Sequence, residues 1–147
     1  PAVTARVVVK TGSIYEQQHV GAGLSHFLEH LVSGGTTERR TEAESNAILG
    51  RIGAITNAST GLDRVKYYID TASAHTAEAI DLLADWLIKL DAKNPQTAAR
   101  MCSAFQTWRR YDASRQAHAR AALERIAATP GLSRDTTEMV TRMLAGP

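Results

Sequence analysis

Two histidines four residues apart, with a glutamate beside the second, stand in the stretch His26-Phe27-Leu28-Glu29-His30. On an α-helix, positions i and i+4 lie one above the other on the same face. His26 and His30 can therefore hold one metal ion through two imidazole nitrogens. Glu29, next to His30 and three residues from His26, can reach a water bound to that ion. The order H-x-x-E-H reverses the H-E-x-x-H zinc motif and keeps its parts. Zinc held in this way lowers the pKa of its water and polarises a carbonyl, while the carboxylate takes and returns the proton. The chemistry on offer is hydrolysis of a peptide bond without a covalent intermediate. The same letters also occur in helices whose histidines are merely solvated, so the surrounding elements have to carry the reading.

Those elements are legible in order. Ala5-Arg6-Val7-Val8-Val9-Lys10 is a β-branched run and reads as a strand closed by Thr11-Gly12-Ser13. Residues 14–20 read as a polar loop with His19 exposed, and Gly21-Ala22-Gly23 leads into the motif helix. Leu24, Phe27, Leu28 and Leu31 are expected to give that helix its apolar contacts, and Gly34-Gly35 to end it. Thr41 with Glu44 has the form of a capping box opening a second helix, which closes before Gly53. Residues 54–60 and 65–70 read as two strands of a hairpin about a Gly61-Leu62-Asp63 turn. From Ala74 to Leu90 the residues Ala79, Leu82, Leu83, Trp86, Leu87 and Leu90 fall at helical spacing, a core stripe. His75, at the start of that helix, reads as exposed. Asn94-Pro95 opens a helix with Met101, Phe105 and Trp108 on one ridge. Another, carrying His118, runs from Ser114 to about Ala128. After Thr129-Pro130-Gly131, Ser133 caps a last helix with Met139, Val140, Met143 and Leu144 inward. Strand, helices, hairpin, helices is an α+β pattern.

With 147 residues, 44% of them hydrophobic, the chain can bury a core and is not disordered. No apolar run is long enough to span a membrane. The single cysteine, Cys102, excludes an intramolecular disulfide and a thiolate metal cluster. The chain begins at Pro1 without a signal-like segment and reads as a processed or trimmed piece; compartment is left open. Charge is uneven: residues 1–91 carry 8 Lys and Arg against 11 Asp and Glu, residues 92–147 carry 9 against 4. Eight of those nine are arginines scattered over helical faces without aromatic interleaving, which points away from a nucleic-acid partner.

From about Arg6 to Leu90 the sequence resembles the pitrilysin family of zinc metallopeptidases, which includes insulysin and the mitochondrial processing peptidase subunits. The segments that carry the resemblance are VVVKTGSIYE, GAGLSHFLEHLVSGGT, IGAITNASTGLDRVKYYI and AIDLLADWL, in that order. The resemblance implies an antiparallel sheet with helices packed on one face, one of two halves that face each other across a cleft. It implies zinc ligands at His26 and His30, a general base at Glu29, and an edge strand at Asn57-Ala58-Ser59-Thr60 to which an extended peptide or protein substrate adds. It also implies a dimer or a second homologous domain as partner.

One expectation fails already in the sequence. Catalytic zinc sites use three protein ligands and leave the fourth position to water. The family's third ligand, a Glu on a later helix, falls by resemblance at Thr107, and its supporting Glu at Arg100. A threonine hydroxyl is a poor zinc ligand, and the Arg100 guanidinium would oppose a dication and could pair with Glu29 instead. Between Asp91 and Glu124 the only acidic residue is Asp112, about 140° around a helix from Thr107. The sequence thus presents a single peptidase-like domain, family-like over residues 1–91 and divergent over 92–147. A shifted reading frame and a replaced segment are both open as the origin of that tail. Two functions remain: a zinc metalloendopeptidase domain that lacks its third ligand and is inactive as this chain, or a silent structural or peptide-binding subunit paired with an active partner.

Overall fold

A computed structural model describes residues 1–146. Strand β1 spans Ala2–Val9, earlier than the apolar run alone suggests, because its first residues also find partners along a neighbouring strand. Helix α1 spans Leu24–Ser33 and α2 Glu42–Arg51; β2 spans Ile55–Thr60 and β3 Val65–Ala72. Helices α3 (Thr76–Asp91), α4 (Pro95–Met101), α5 (Ala113–Ala127) and α6 (Arg134–Ala145) complete the chain. The sheet is antiparallel with order β1-β3-β2, so β2 is an edge. Register runs Val7 opposite Tyr67 and Ala58 opposite Tyr67 on the two sides of β3. The hairpin β2-β3 is as expected. The 14–20 loop winds into two short 3₁₀ turns, Ser13–Tyr15 and Gln17–His19, with His19 exposed.

Local chemistry sets most of the ends. The Thr41 side chain accepts from the Glu44 N–H and the Glu44 carboxylate accepts from the Thr41 N–H at 2.7 Å, a complete capping box. Thr41→Ala removes one half of it and is expected to cost about 1 kcal/mol; a change in the urea midpoint too small to resolve would contradict this. Asn94, Asp112 and Ser133 cap α4, α5 and α6 through backbone N–H groups three residues on.

Helix α3 organises the interior. All six residues of its expected stripe are buried, but so are Ala84, Asp85 and Asp91, so the helix is covered nearly all round. One side meets the sheet, where the rings of Trp86 and Tyr67 lie 6.5 Å apart and tilted. The other meets α4 and α5. The core joins Val7, Val9, Tyr67 and Ile69 of the sheet to Met101, Phe105, Trp108, Leu123, Ile126 and Val140 of the later helices without interruption. Burial drives the Cys102 thiol up to about 12, with the Asp91 carboxylate adding to it, so this cysteine is a packed apolar group.

Three expectations need correction. Leu24, Phe27 and Leu31 are not core contacts: they are 48%, 64% and 39% exposed, while Glu29 and Val32 are buried. The apolar residues of α1 fall within an arc of about 140°, and docking on β2 and α3 turns only the edge of that arc with Leu28 and Val32 inward. The ridge of Met101, Phe105 and Trp108 is buried as expected, but not on one helix. The chain leaves α4 at Met101 and continues as 3₁₀ turns Cys102–Phe105 and Trp108–Arg110. His75 is half-buried, its Nδ1 3.3 Å from the Glu78 carboxylate.

Candidate metal centre

Gly23, in the left-handed conformation at φ 75°, turns the chain into α1, where glycine avoids a Cβ clash. The first turn of α1 is held from outside: the Glu16 carboxylate accepts from the Ser25 N–H at 2.8 Å. That bond, chiefly, holds the Glu16 carboxyl below the usual carboxylate value, against the opposite effect of its burial. At Gly12, just before Ser13, the chain presses on the β2-β3 turn. A Cβ at Gly12 would lie 2.5 Å from the Leu62 carbonyl oxygen, so only glycine fits, and the Ile14 N–H donates to that carbonyl at 3.0 Å.

On this scaffold the motif takes its expected form. The Nε2 atoms of His26 and His30 stand 3.0 Å apart on exposed rings. Glu29 is only 6% exposed, and its Oε2 accepts from the Thr60 hydroxyl at the end of β2. One ligand atom from each of His26, Glu29 and His30 lies within 4.8 Å of the others, and no other such group of three occurs among the described residues. Beneath them the Glu29 charge and, above all, burial raise the Tyr67 phenol well beyond its ordinary value, so it stays neutral.

Two imidazole nitrogens on one tetrahedral zinc stand about 3.3 Å apart. The histidine pair fits a zinc ion; the full donor set does not fit a catalytic one, because Glu29 cannot be both third ligand and base. Arg100 does not pair with Glu29: its Nη1 donates to the Lys10 carbonyl at 3.0 Å, beyond the end of β1. Thr107 is exposed between the two 3₁₀ turns, its hydroxyl 3.5 Å from the Tyr111 hydroxyl. Asp112 caps α5 and binds Arg115. His118 is half-buried in a groove between α3 and α5 with Glu78, Asp81 and Arg125. Along β2, Asn57 and Ser59 are exposed, Ala58 and Thr60 half-buried, and the Asn57 side chain accepts from the Ala58 N–H at 2.8 Å. Sequence reasoning missed two groups here. Glu16 lies within a segment of the resemblance, but no spacing gives it a role. Thr60 was expected as substrate strand, and its hold on Glu29 needs the folded sheet.

An antiparallel sheet with an inverted zinc motif on the covering helix defines the class as a metallopeptidase-type α+β half-domain. The chain is 37% identical over 84 residues to an uncharacterized zinc protease of Rickettsia felis, covering 57% of this chain and 20% of that protein. It is 33% identical over 81 residues to the mitochondrial-processing peptidase subunit beta of Dictyostelium discoideum, covering 55% and 17%. It is 32% identical over 111 residues to aminopeptidase N of Escherichia coli, covering 76% and 12%. The crystal structure of a protease from Helicobacter pylori superposes with a TM-score of 0.55 at 28% identity, covering 74% of this chain and 26% of that one. A family model described as a domain of unknown function (DUF3458_C), ARM repeats, matches residues 72–145. Over about half its length the chain is similar to zinc proteases of the pitrilysin type, and over residues 72–145 it belongs to that ARM-repeat family. The tail matches a family as read, which removes the shifted reading frame. The chain spans a fifth or less of these curated relatives.

Proposed function

We propose that this chain is a pitrilysin-like zinc protease domain that retains peptide binding and has lost hydrolysis, its later helices replaced by an ARM-repeat segment. One observation carries the reading: His26, Glu29 and His30 are the only close group of metal-binding side chains among the described residues. Several acidic residues that follow are committed elsewhere. Asp81 and Asp85 pair with arginines, Asp91 binds Ser133 and Thr136, and Asp112 caps α5. Zinc on the two histidines would supply Lewis acidity and an acidified water. Glu29, buried and aligned by Thr60, is the group that would move the proton.

The exposed β2 edge supports peptide binding by strand addition. A docking strand can use the Ala58 N–H once Asn57 turns away from it. Leu24, Phe27 and Leu31, exposed at i, i+3 and i+7 of α1, support a second homologous domain or subunit as partner. No helix among the described residues is long and apolar enough to cross a membrane.

Elemental analysis of protein purified without chelator, beside His26→Ala and His30→Ala, tests the reading. Zinc well below one per chain is expected, with no peptidase activity after zinc is added. About one zinc per chain, lost in both variants, together with turnover of a peptide, would sink it.

A further inference from the structure

We infer that the cavity between β1, α4 and α6 is a binding site for an organic carboxylate with an apolar body. It holds about 580 Å³ and is lined by Val8, Lys10, Tyr15, Arg100, Ser103 and Met139. Sites for small organic molecules usually measure roughly 300–1,000 Å³, so the size fits. Arg100, Ser103 and Met139 belong to the segment that matches the ARM-repeat family; the other three precede it. The cavity therefore exists only where the two parts of the chain pack together. It uses neither His26 nor His30, and no metal.

Every polar side chain in the lining can donate a hydrogen bond. Lys10 brings an ammonium and Arg100 a guanidinium, and no aspartate or glutamate is among the lining residues. Arg100 Nη1 donates to the Lys10 carbonyl at 3.0 Å, which sets the guanidinium beside the residue that carries the ammonium. A carbonyl has no net charge, so this bond orients Arg100 without neutralising it. Among the described residues no carboxylate pairs with either cation, whereas Arg39, Arg40, Arg115, Arg125 and Arg142 each meet one. A guanidinium has five N–H donors, and its fork matches the two oxygens of a carboxylate. The Tyr15 phenol and the Ser103 hydroxyl, both on exposed residues, add neutral donors.

The remaining walls decide between an inorganic anion and an organic one. Val8 and Tyr15 are 43% and 53% exposed, and the half-buried Met139 joins them in the lining. A phosphate or sulfate ion would leave this apolar surface in water. A carboxylate on an aliphatic or aromatic body would cover it, and burial of that surface favours binding. Methionine, unbranched and flexible, adapts its shape to such a body.

Titration of the whole, isotopically labelled chain with phenylacetate at constant ionic strength tests the inference. Saturable shifts are expected in the Arg100 Nε–H resonance and in the Lys10, Tyr15 and Ser103 amides. Phenylacetamide, which lacks the charge, and acetate, which lacks the ring, should each bind about tenfold more weakly, and inorganic phosphate likewise. Arg100→Gln and Lys10→Gln should each weaken phenylacetate about tenfold. Both positions are exposed, so the melting temperature should hardly move. His26→Ala should leave phenylacetate binding unchanged, which separates this site from the zinc reading. Equal affinity for the acid and its amide, phosphate binding as tightly as phenylacetate, or affinity that survives both glutamine variants would overturn the inference. So would the absence of saturable shifts with phenylacetate.

Discussion

A chain ended after Asp91 is expected to lose cooperative unfolding altogether. Most of α3 is covered, with Leu82, Leu87 and Leu90 at 1% exposure or less, and much of that cover comes from residues beyond the cut. Met101, Phe105, Trp108, Leu123, Ile126 and Val140 all belong to the same core as Tyr67 and Ile69. Each large apolar side chain that returns to water costs about 1.5–3 kcal/mol. Several lost together exceed the roughly 5–15 kcal/mol that holds a domain of this size folded. Far-UV circular dichroism during heating, on the shortened and the whole chain, reads the result. A sharp transition in the shortened chain, with native-like strand and helix signal, would show that the pitrilysin-like part folds alone. The expected broad, non-cooperative change would show that the two family segments share one core and form one folding unit.

The second large effect is expected at Asp85, which is 3% exposed on its side chain. Three arginines converge on it: Arg125 Nη1 at 2.6 Å, Arg39 Nη1 at 3.4 Å, and Arg40. Arg39 and Arg40 come from the loop between α1 and α2, Arg125 from α5, so the cluster ties the motif-bearing part to the tail through α3. Asp85→Ala leaves Arg39, Arg40 and Arg125, all partly exposed, to share Asp81 as counter-charge, at a cost of about 3 kcal/mol. In a chain of this length that lowers Tm by roughly 10 °C. Asp81→Ala should cost less, since its side chain is 32% exposed and water screens its pairs. A loss under about 1 kcal/mol at Asp85 would mean that the ion pairs add nothing beyond desolvation.

The same cluster sets an acid limit. Burial alone would raise the Asp81 carboxyl, but the Arg40 hydrogen bond and the Arg125 charge outweigh it and hold the group below the ordinary value of 3.8. Its folded pKa is lower than its unfolded one, so its contribution is complete above about pH 4 and is lost as pH falls through the lowered value. Melting curves across that range should converge for the natural chain and Asp81→Asn at the acid end.

What the sequence determined by itself was local. The Thr41–Glu44 box, the Ser133 cap, the hairpin about Gly61 and the α3 stripe follow from bonds and periodicities within a few residues, and each stands as read. The pairing of His26 and His30 is equally local, being one helical turn. The absence of a Glu at the place the resemblance gives the third ligand was legible too. Between Asp91 and Glu124 the one carboxylate, Asp112, falls about 140° around a helix from Thr107. Tertiary structure decided the rest. Which side of α1 turns inward depends on β2 and α3, and so Leu24, Phe27 and Leu31 face out although their spacing suits a core. Arg100 finds the Lys10 carbonyl rather than Glu29 because α4 packs against β1. Asp85 and Asp91 interrupt an apolar stripe, and only partners 40 or more residues away make their burial tolerable. Glu16 is the sharpest case: its type and spacing are silent, and its hold on the Ser25 N–H at the start of α1 arises only in the folded chain. Long-range contacts select among faces and charges that short-range propensities leave equivalent.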